Sequence, residues 1–321
     1  MSNFKPVVTN SPPPIDPTDS ANSVLIAEDD PMFRRILRTW LADFGFQTIL
    51  AKDGAEAWDI LEREQPPQLL ILDWEMPKVD GIELCRRIRQ RQQVDYQYVL
   101  LVTGKEDKQR VVEGLEAGAD DYLIKPIDKH ELHARLRVGR RILSLQKDLI
   151  QAREELRFQA THDALTGVWN RGALLDVFRR ELIRAARSQS STAVLMIDVD
   201  HFKNVNDAHG HLTGDVVLKE VVRRMQNAVR SYDFVGRYGG EEFLIVLPGC
   251  DLSRARDTAE RVRSAVACKP VLADGFDLPV TVSIGVAVAD SAATKEMEIL
   301  AIADAAMYKA KDAGRNCTVV P

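Results

Sequence analysis

The sequence is poor in cysteine, in long apolar runs and in excess charge of either sign, and each shortage excludes a class of protein. Its four cysteines, Cys85, Cys250, Cys268 and Cys317, are widely scattered and form no Cys-x-x-Cys pair. That argues against a disulfide framework or a cysteine zinc site and fits a reducing compartment. No apolar run approaches the ~18 residues that a bilayer-crossing helix needs. The opening stretch MSNFKPVVTNSPPPIDPTDSANS lacks the apolar segment of a signal peptide. The expectation is a cytoplasmic chain without a membrane partner. Positive charge is not in excess, with 43 basic against 48 acidic residues and a net charge of −5, so no nucleic acid partner is expected. What remains is 45% hydrophobic and 28% charged, the composition of a soluble globular protein. At roughly 150 residues per domain, 321 residues accommodate two. The Pro- and Ser-rich residues 1–22 are read as a disordered tail.

From Ser23 to about Arg140, short apolar runs (VLIAEDD, QTILAK, QLLILD, YQYVLLVTG, DDYLIKP) alternate with amphipathic helical patterns. Near-continuous apolar strands separated by helices predict a doubly wound α/β domain, a parallel sheet covered on both faces. Ligands in that architecture sit beyond the carboxyl ends of the strands. Glu28 and Asp29 end the first strand, Asp73 the third, Thr103 the fourth and Lys125 the fifth. Gathered carboxylates repel one another, and a hard divalent cation with oxygen ligands relieves them. A carboxylate nucleophile, a metal, a hydroxyl and an ammonium together suit acyl-phosphate chemistry. A single strand-end Asp is ordinarily a cap or a turn residue; five such groups in this order are not.

The stretches AEDD, LILDWEMPKVDG, LVTG and YLIKP resemble the receiver domain of two-component response regulators over residues 23–140. The resemblance implies that Asp73 accepts a phosphoryl group from a sensor histidine kinase. Asp29, Asp73 and the backbone carbonyl of Glu75 would hold Mg2+, with Glu28 in support. Thr103 and Lys125 would contact the phosphoryl group, and Tyr122 matches the aromatic residue that turns inward on activation.

From Lys129 to about Gln159 runs a charged stretch of helix formers with no proline and one glycine. Val138, Ile142, Leu145, Leu149, Ala152 and Leu156 follow heptad spacing, which predicts a coiled-coil linker over residues 141–160 and a homodimer through receiver and linker. Leu132, Leu136, Gly139, Leu143, Gln146 and Ile150 form a second, more polar stripe one residue away. Two stripes allow two pairing registers, between which phosphorylation would shift the helices. A single helix packed on its own domains is the alternative.

Residues 161–321 read differently. AVLMIDVDHF, DFVGRY, EFLIVLP and PVTVSIGVAVA are strands among helices, and a tight connection across Gly239-Gly240 signals a hairpin. An antiparallel hairpin among crossover helices predicts an α+β domain. Asp198 ends one strand, while Glu241 and Glu242 follow the glycines. If the strands are neighbours, carboxylates able to hold Mg2+ face one another beside a turn that a bulky anion can approach closely. Taken alone, GGEE reads more readily as a surface hairpin with solvated glutamates.

The stretches DVDHFKNVNDAHGHLTGD, RYGGEEF, DALTGVWNR and AMYKAKDAGRN resemble the GGDEF family of diguanylate cyclases, whose domain is nucleotidyl-cyclase-like. The resemblance implies that Asp198, Glu242 and the carbonyl of Val199 ligate Mg2+ and that Glu241 serves in catalysis. Asn206 and Asp215 would read the guanine edge, since a carboxylate accepts from N1–H and the exocyclic amine, a pair adenine lacks. His211 would border the same pocket. Phe202 and Lys203 would meet the phosphates through backbone amides or charge. Lys311 and Arg315, four residues apart and taken as one helical face, would neutralise the triphosphate.

The implied reaction joins two GTP into cyclic di-GMP and releases two pyrophosphates, which requires two such domains to face one another. Arg230-Ser231-Tyr232-Asp233, ahead of the GG pair, resembles the family's RxxD product-inhibition site, with Arg261 as a secondary contact. A nucleotide receptor without turnover, a cyclase using another base, and an adaptor working only by protein contact are the competing readings.

Overall fold

The computed structural model describes residues 22–91, 95–104, 108–289 and 295–321. The expected tail therefore lies, but for Asn22, outside the described residues. The chain divides between Ala152 and Arg153 into two compact units.

In the first unit, β1 (Ser23–Ala27), α1 (Pro31–Asp43), β2 (Gln47–Ala51), α2 (Gly54–Leu61), β3 (Leu69–Asp73), α3 (Gly81–Gln90), β4 (Tyr98–Thr103), α4 (Lys108–Glu116) and β5 (Asp121–Ile124) alternate, and α5 (Lys129–Thr161) follows and runs past the division. The strands form one parallel sheet in the order β2-β1-β3-β4-β5. Because helices cover both faces, β3 and β4 are buried at every residue. That burial is why their sequences are apolar throughout instead of alternating. Asp30, Asp53 and Asp80 cap α1, α2 and α3 through their side chains, which turns the chain back at the carboxyl edge of the sheet.

The helix α5 combines two functions that its sequence does not separate. Leu132, Leu136 and Leu143 are buried in the first unit's core with Leu37, Leu41 and Tyr98, and Gly139 lies against the Tyr98 ring. Four of the six residues in the second stripe thus belong to the first unit's interior. The two-register expectation is corrected accordingly: apolar side chains committed to one core are not free to form an alternative seam. The first stripe is open. Val138, Ile142, Leu145, Leu149 and Leu156 are all exposed, Leu149 at 68%.

In the second unit the order is α6 (Arg171–Ser188), β6 (Thr192–Val199), α7 (Phe202–His209), α8 (His211–Ala228), β7 (Phe234–Arg237), β8 (Glu242–Pro248), α9 (Leu252–Ala267), β9 (Val271–Ala273), β10 (Phe276–Leu278), β11 (Val282–Ala289), α10 (Glu296–Asp312) and β12 (Thr318–Val319). The main sheet runs β12-β11-β6-β8-β7, with β6 antiparallel to both β8 and β11. Its two faces are packed separately. Val217, Val221 and Val262 from α8 and α9 fill one core, and Leu174, Phe178, Ala303 and Met307 from α6 and α10 fill the other. This is the expected α+β domain. The separate β9–β10 hairpin was not anticipated. Among the described residues, no helix is long and apolar enough to cross a membrane.

Candidate functional site

At the carboxyl edge of the first sheet the strand ends converge as their order requires. Glu28 and Asp73 are buried, Asp29 is exposed, and ligand oxygens of all three lie within 4.8 Å of one another. An all-oxygen trio at that spacing fits a hard divalent cation. The Lys125 ammonium stands 2.9 Å from Glu28 Oε2 and 3.0 Å from Asp73 Oδ2. Burial pushes the Glu28 carboxyl up to about 7 against the pull of Lys125, and burial raises Asp73 in the same way. Burial also opposes the Lys125 charge, but its two carboxylate partners outweigh this and raise its pKa. Asp73 Oδ1 accepts from the Trp74 amide at 3.0 Å, which orients the carboxylate. Thr103 is fully buried at the end of β4, Glu75 is exposed two residues beyond Asp73, and Tyr122 is half-buried against the core below.

In the second unit, Asp198 and Glu242 are register partners across the antiparallel β6–β8 pair. The Val199 amide donates to the Glu241 carbonyl at 3.2 Å, which ties the end of β6 to the glycine turn. Asp198 is buried, whereas Glu241 and Glu242 are half-buried. A Cβ on Gly239 would come within 2.5 Å of Glu242 Oε2, while one on Gly240 would meet nothing within 4 Å. The first glycine therefore admits the glutamate and the second leaves the turn open. Lys311 Nζ sits 2.7 Å from Asp198 Oδ2. Burial raises the Asp198 carboxyl, opposed by Lys311 and the nearby Arg315 charge; burial and the charge of Asp198 raise Glu241. These oxygen donors suit a cation, and an ammonium already rests on one of them. Among the described residues, however, the trio in the first unit is alone in having three ligand oxygens so close.

The nucleobase and phosphate candidates flank this edge. Helix α7 begins at Phe202, and no side chain caps it, so its first amides suit an anion. Phe202 itself is buried and Lys203 is exposed. Asn206 Oδ1 is buried without a hydrogen-bond partner, an orphan that calls for an explanation. It lies against Gly214, where a Cβ would stand 2.0 Å away. Half-buried Asp215 follows, and His211 is exposed at the start of α8. Arg315 does not share a helical face with Lys311. Helix α10 ends at Asp312, Gly314 turns the chain at φ 108°, and Arg315 follows at φ 63°. Its charge nonetheless acts on Asp198, so it joins the site through a turn.

Two residues that motif matching did not assign hold this edge together. Arg237 Nε and Nη2 donate to the Gly240 carbonyl at 3.0 and 2.6 Å, and Nη1 reaches Asp163 Oδ1 at 3.2 Å. Asp163 lies two residues beyond α5. Asp200, which is buried, joins β6 to distant segments. The quoted motifs contain both Arg237 and Asp200, but their partners are far away in sequence.

At the RxxD segment, Asp233 Oδ2 accepts from the Arg230 amide at 2.8 Å, and Arg230 Nη1 donates to the Tyr232 hydroxyl at 2.8 Å. Burial raises the Asp233 carboxyl, with the Arg230 and Arg261 charges opposing. Arg261 is therefore electrostatically close, although its own Nε donates to the Ala228 carbonyl at 2.6 Å.

Comparison with known proteins assigns both units. The family described as response regulator receiver domain matches residues 24–137, and that described as diguanylate cyclase, GGDEF domain, matches residues 160–317. Response regulator PleD of Caulobacter vibrioides is 33% identical over 287 residues, 85% of this chain and 63% of PleD. Diguanylate cyclase DosC of Escherichia coli is 42% identical over 176 residues, 54% of this chain and 38% of DosC. The chain thus spans less than two thirds of either relative. The crystal structure of the coiled coil and GGDEF domain of DgcB from Caulobacter crescentus, in complex with c-di-GMP, aligns with 59% of this chain and 99% of its own at 30% identity and a TM-score of 0.54.

Proposed function

Since the chain belongs to the GGDEF family of diguanylate cyclases and carries a response-regulator receiver domain, we propose that it converts two GTP into cyclic di-GMP under control of phosphorylation at Asp73. The observation that carries the reading is the pairing of Asp198 with Glu242 across β6 and β8, beside an open glycine turn and with Lys311 on Asp198.

In this reading Asn206 and Asp215 take the guanine edge, and the orphaned Asn206 oxygen gains a donor from the exocyclic amine. His211 borders that pocket. The uncapped amides at Phe202, with Lys203, Lys311 and Arg315, take the triphosphate. Asp198, Glu242 and the Val199 carbonyl would hold Mg2+, which supplies charge neutralisation at the phosphates when bound. Glu241, whose raised pKa suits a proton acceptor, accepts the proton of the ribose 3′-hydroxyl. The hydroxyl oxygen forms a bond to the α-phosphorus of the second GTP, and the bond to the pyrophosphate oxygen breaks. The same exchange on the other strand closes the ring, so two pyrophosphates leave.

One domain holds one GTP, and a symmetric product needs two domains face to face. The exposed stripe on α5 supplies the seam for a parallel homodimer over residues 141–160. A sensor histidine kinase is the phosphodonor, with Asp29, Asp73 and Glu75 holding Mg2+ and Thr103, Lys125 and Tyr122 answering the phosphoryl group. Arg230 and Asp233, with Arg261 nearby, bind product and limit the reaction. The reading is tested by incubating the purified protein with GTP or ATP and Mg2+ and resolving the products by chromatography. Cyclic di-GMP from GTP and nothing from ATP is expected. Tight cyclic di-GMP binding without turnover would overturn it in favour of a receptor.

A further inference from the structure

Arg315 and Asn316 are consecutive non-glycine residues in the left-handed region, at φ 63° and 44°. Asparagine tolerates that conformation; for arginine it is strained, and such strain persists only where its surroundings over-determine it. A glycine would make the same turn without strain, so the arginine side chain must serve a purpose that the turn alone does not.

Several hydrogen bonds hold the turn, among them one from Arg263 Nη1 to Asn316 Oδ1 at 2.6 Å. The Arg315 amide donates to the Ala310 carbonyl at 3.0 Å, which closes the end of α10. The Asn316 amide donates to Asp200 Oδ2, also at 3.0 Å. Asp200 is only 6% exposed, and among the described residues it forms no ion pair. Its charge is met instead by hydroxyls, Thr281 Oγ1 at 2.7 Å and Ser283 Oγ at 2.6 Å, while its own amide donates to the Thr281 carbonyl at 3.0 Å. A buried carboxylate satisfied by three donors from two other segments is a rigid anchor. It stands two residues beyond Asp198, so one strand end carries both a candidate metal ligand and the fixed point of the turn.

We propose that Asp200 is a positioning residue for nucleotide binding, holding the 314–316 turn left-handed so that the Arg315 guanidinium stays beside the triphosphate. The proposal rests on the GTP reading above and deepens it: Asp200 touches no ligand and acts through Arg315. Asp200→Asn replaces one accepting oxygen with an amide that cannot accept from all three donors, and the Asn316 link is the most exposed of them.

The experiment measures binding of 3′-deoxy-GTP with Mg2+, which lacks the attacking hydroxyl, by calorimetry on the full chain. The variants are Asp200→Asn, Arg315→Ala and the two combined. Asp200→Asn should weaken binding about tenfold, the worth of one charge-assisted hydrogen bond. The double variant should bind within twofold of Arg315→Ala, because the anchor has nothing left to position. In turnover, Asp200→Asn should raise KM about tenfold with kcat changed less than threefold. Hydrogen exchange at the Asn316 amide should quicken while amides of β6 and β8 keep their protection. Should Asp200→Asn not fold, Ser283→Ala loosens the same carboxylate and should weaken binding about threefold, again only when Arg315 is present. Additive losses, or unchanged affinity in the folded variant, would overturn the proposal alone. No binding by the wild type would overturn the GTP reading and this proposal with it.

Discussion

Replacing Arg237 with alanine tests whether the glycine turn must be held rigid for turnover. The side chain makes two charge-assisted hydrogen bonds to the Gly240 carbonyl and an ion pair with Asp163. Both partners of the pair are about one-fifth exposed, so solvent screens it only in part. Two hydrogen bonds of this type, discounted for exposure, are worth about 3 kcal/mol together. In a unit of this size that lowers its melting temperature by roughly 8 °C. The kinetic consequence is larger. Glu241 and Glu242 follow Gly240 directly, and a displacement of about 1 Å at reacting groups costs on the order of 10²-fold in rate. Arg237→Ala should therefore lower kcat about a hundredfold below the melting transition. Arg237→Lys should recover only part of it, since an ammonium lacks the planar fork. Steady-state rates of product formation, paired with thermal melts, make the comparison. If Arg237→Ala melts lower but keeps kcat within threefold, the turn does not need its clamp and the reasoning fails.

Gly214→Ala would place a methyl group 2.0 Å from the present position of Asn206 Oδ1. Asn206 should swing away at small cost in stability, so KM for GTP should rise about tenfold with little change in melting temperature. Glu220, paired with Arg223 and Arg224 at 2.7 and 2.8 Å, has its pKa lowered to about 2, chiefly by the Arg223 hydrogen bond. A depressed carboxylate contributes stability that is present above its usual 4.5 and is lost as pH falls towards 2. Denaturant titrations of Glu220→Gln should accordingly show a flatter acid limb across that window. For the linker, Leu145→Cys should form an intermolecular disulfide and Gln146→Cys should not, with or without beryllofluoride. A yield that switches between the two positions would restore the two-register idea.

The placement of the strand-end groups was legible because it depends on local pattern. Apolar runs ending in Glu28, Asp73 and Lys125 place those groups at one edge once the sheet is parallel, and Gly239-Gly240 marks the hairpin that sets Glu242 against Asp198. What was misread involves features with two physical meanings. A heptad stripe and a helix packed on its own domain share a periodicity, so Leu132, Leu136 and Leu143 did not reveal which they were. The four-residue spacing of Lys311 and Arg315 resembled a helical face, yet Gly314 between them is the ordinary stop signal for a helix and outweighs the spacing. The Asp274-Gly275 turn of the unexpected β9–β10 hairpin carried a local signal that was overlooked. Asp200 was not legible at all: its partners at 281, 283 and 316 are joined to it only by the folded chain.

The account's central claim is that the Asp73 site controls the Asp198–Glu242 site. It is tested most directly by the rate of cyclic di-GMP formation with and without beryllofluoride, a phosphoryl mimic, on the wild type and on Asp73→Asn. The account predicts a higher rate with beryllofluoride in the wild type and no response in Asp73→Asn. A wild-type rate that beryllofluoride leaves unchanged would contradict it.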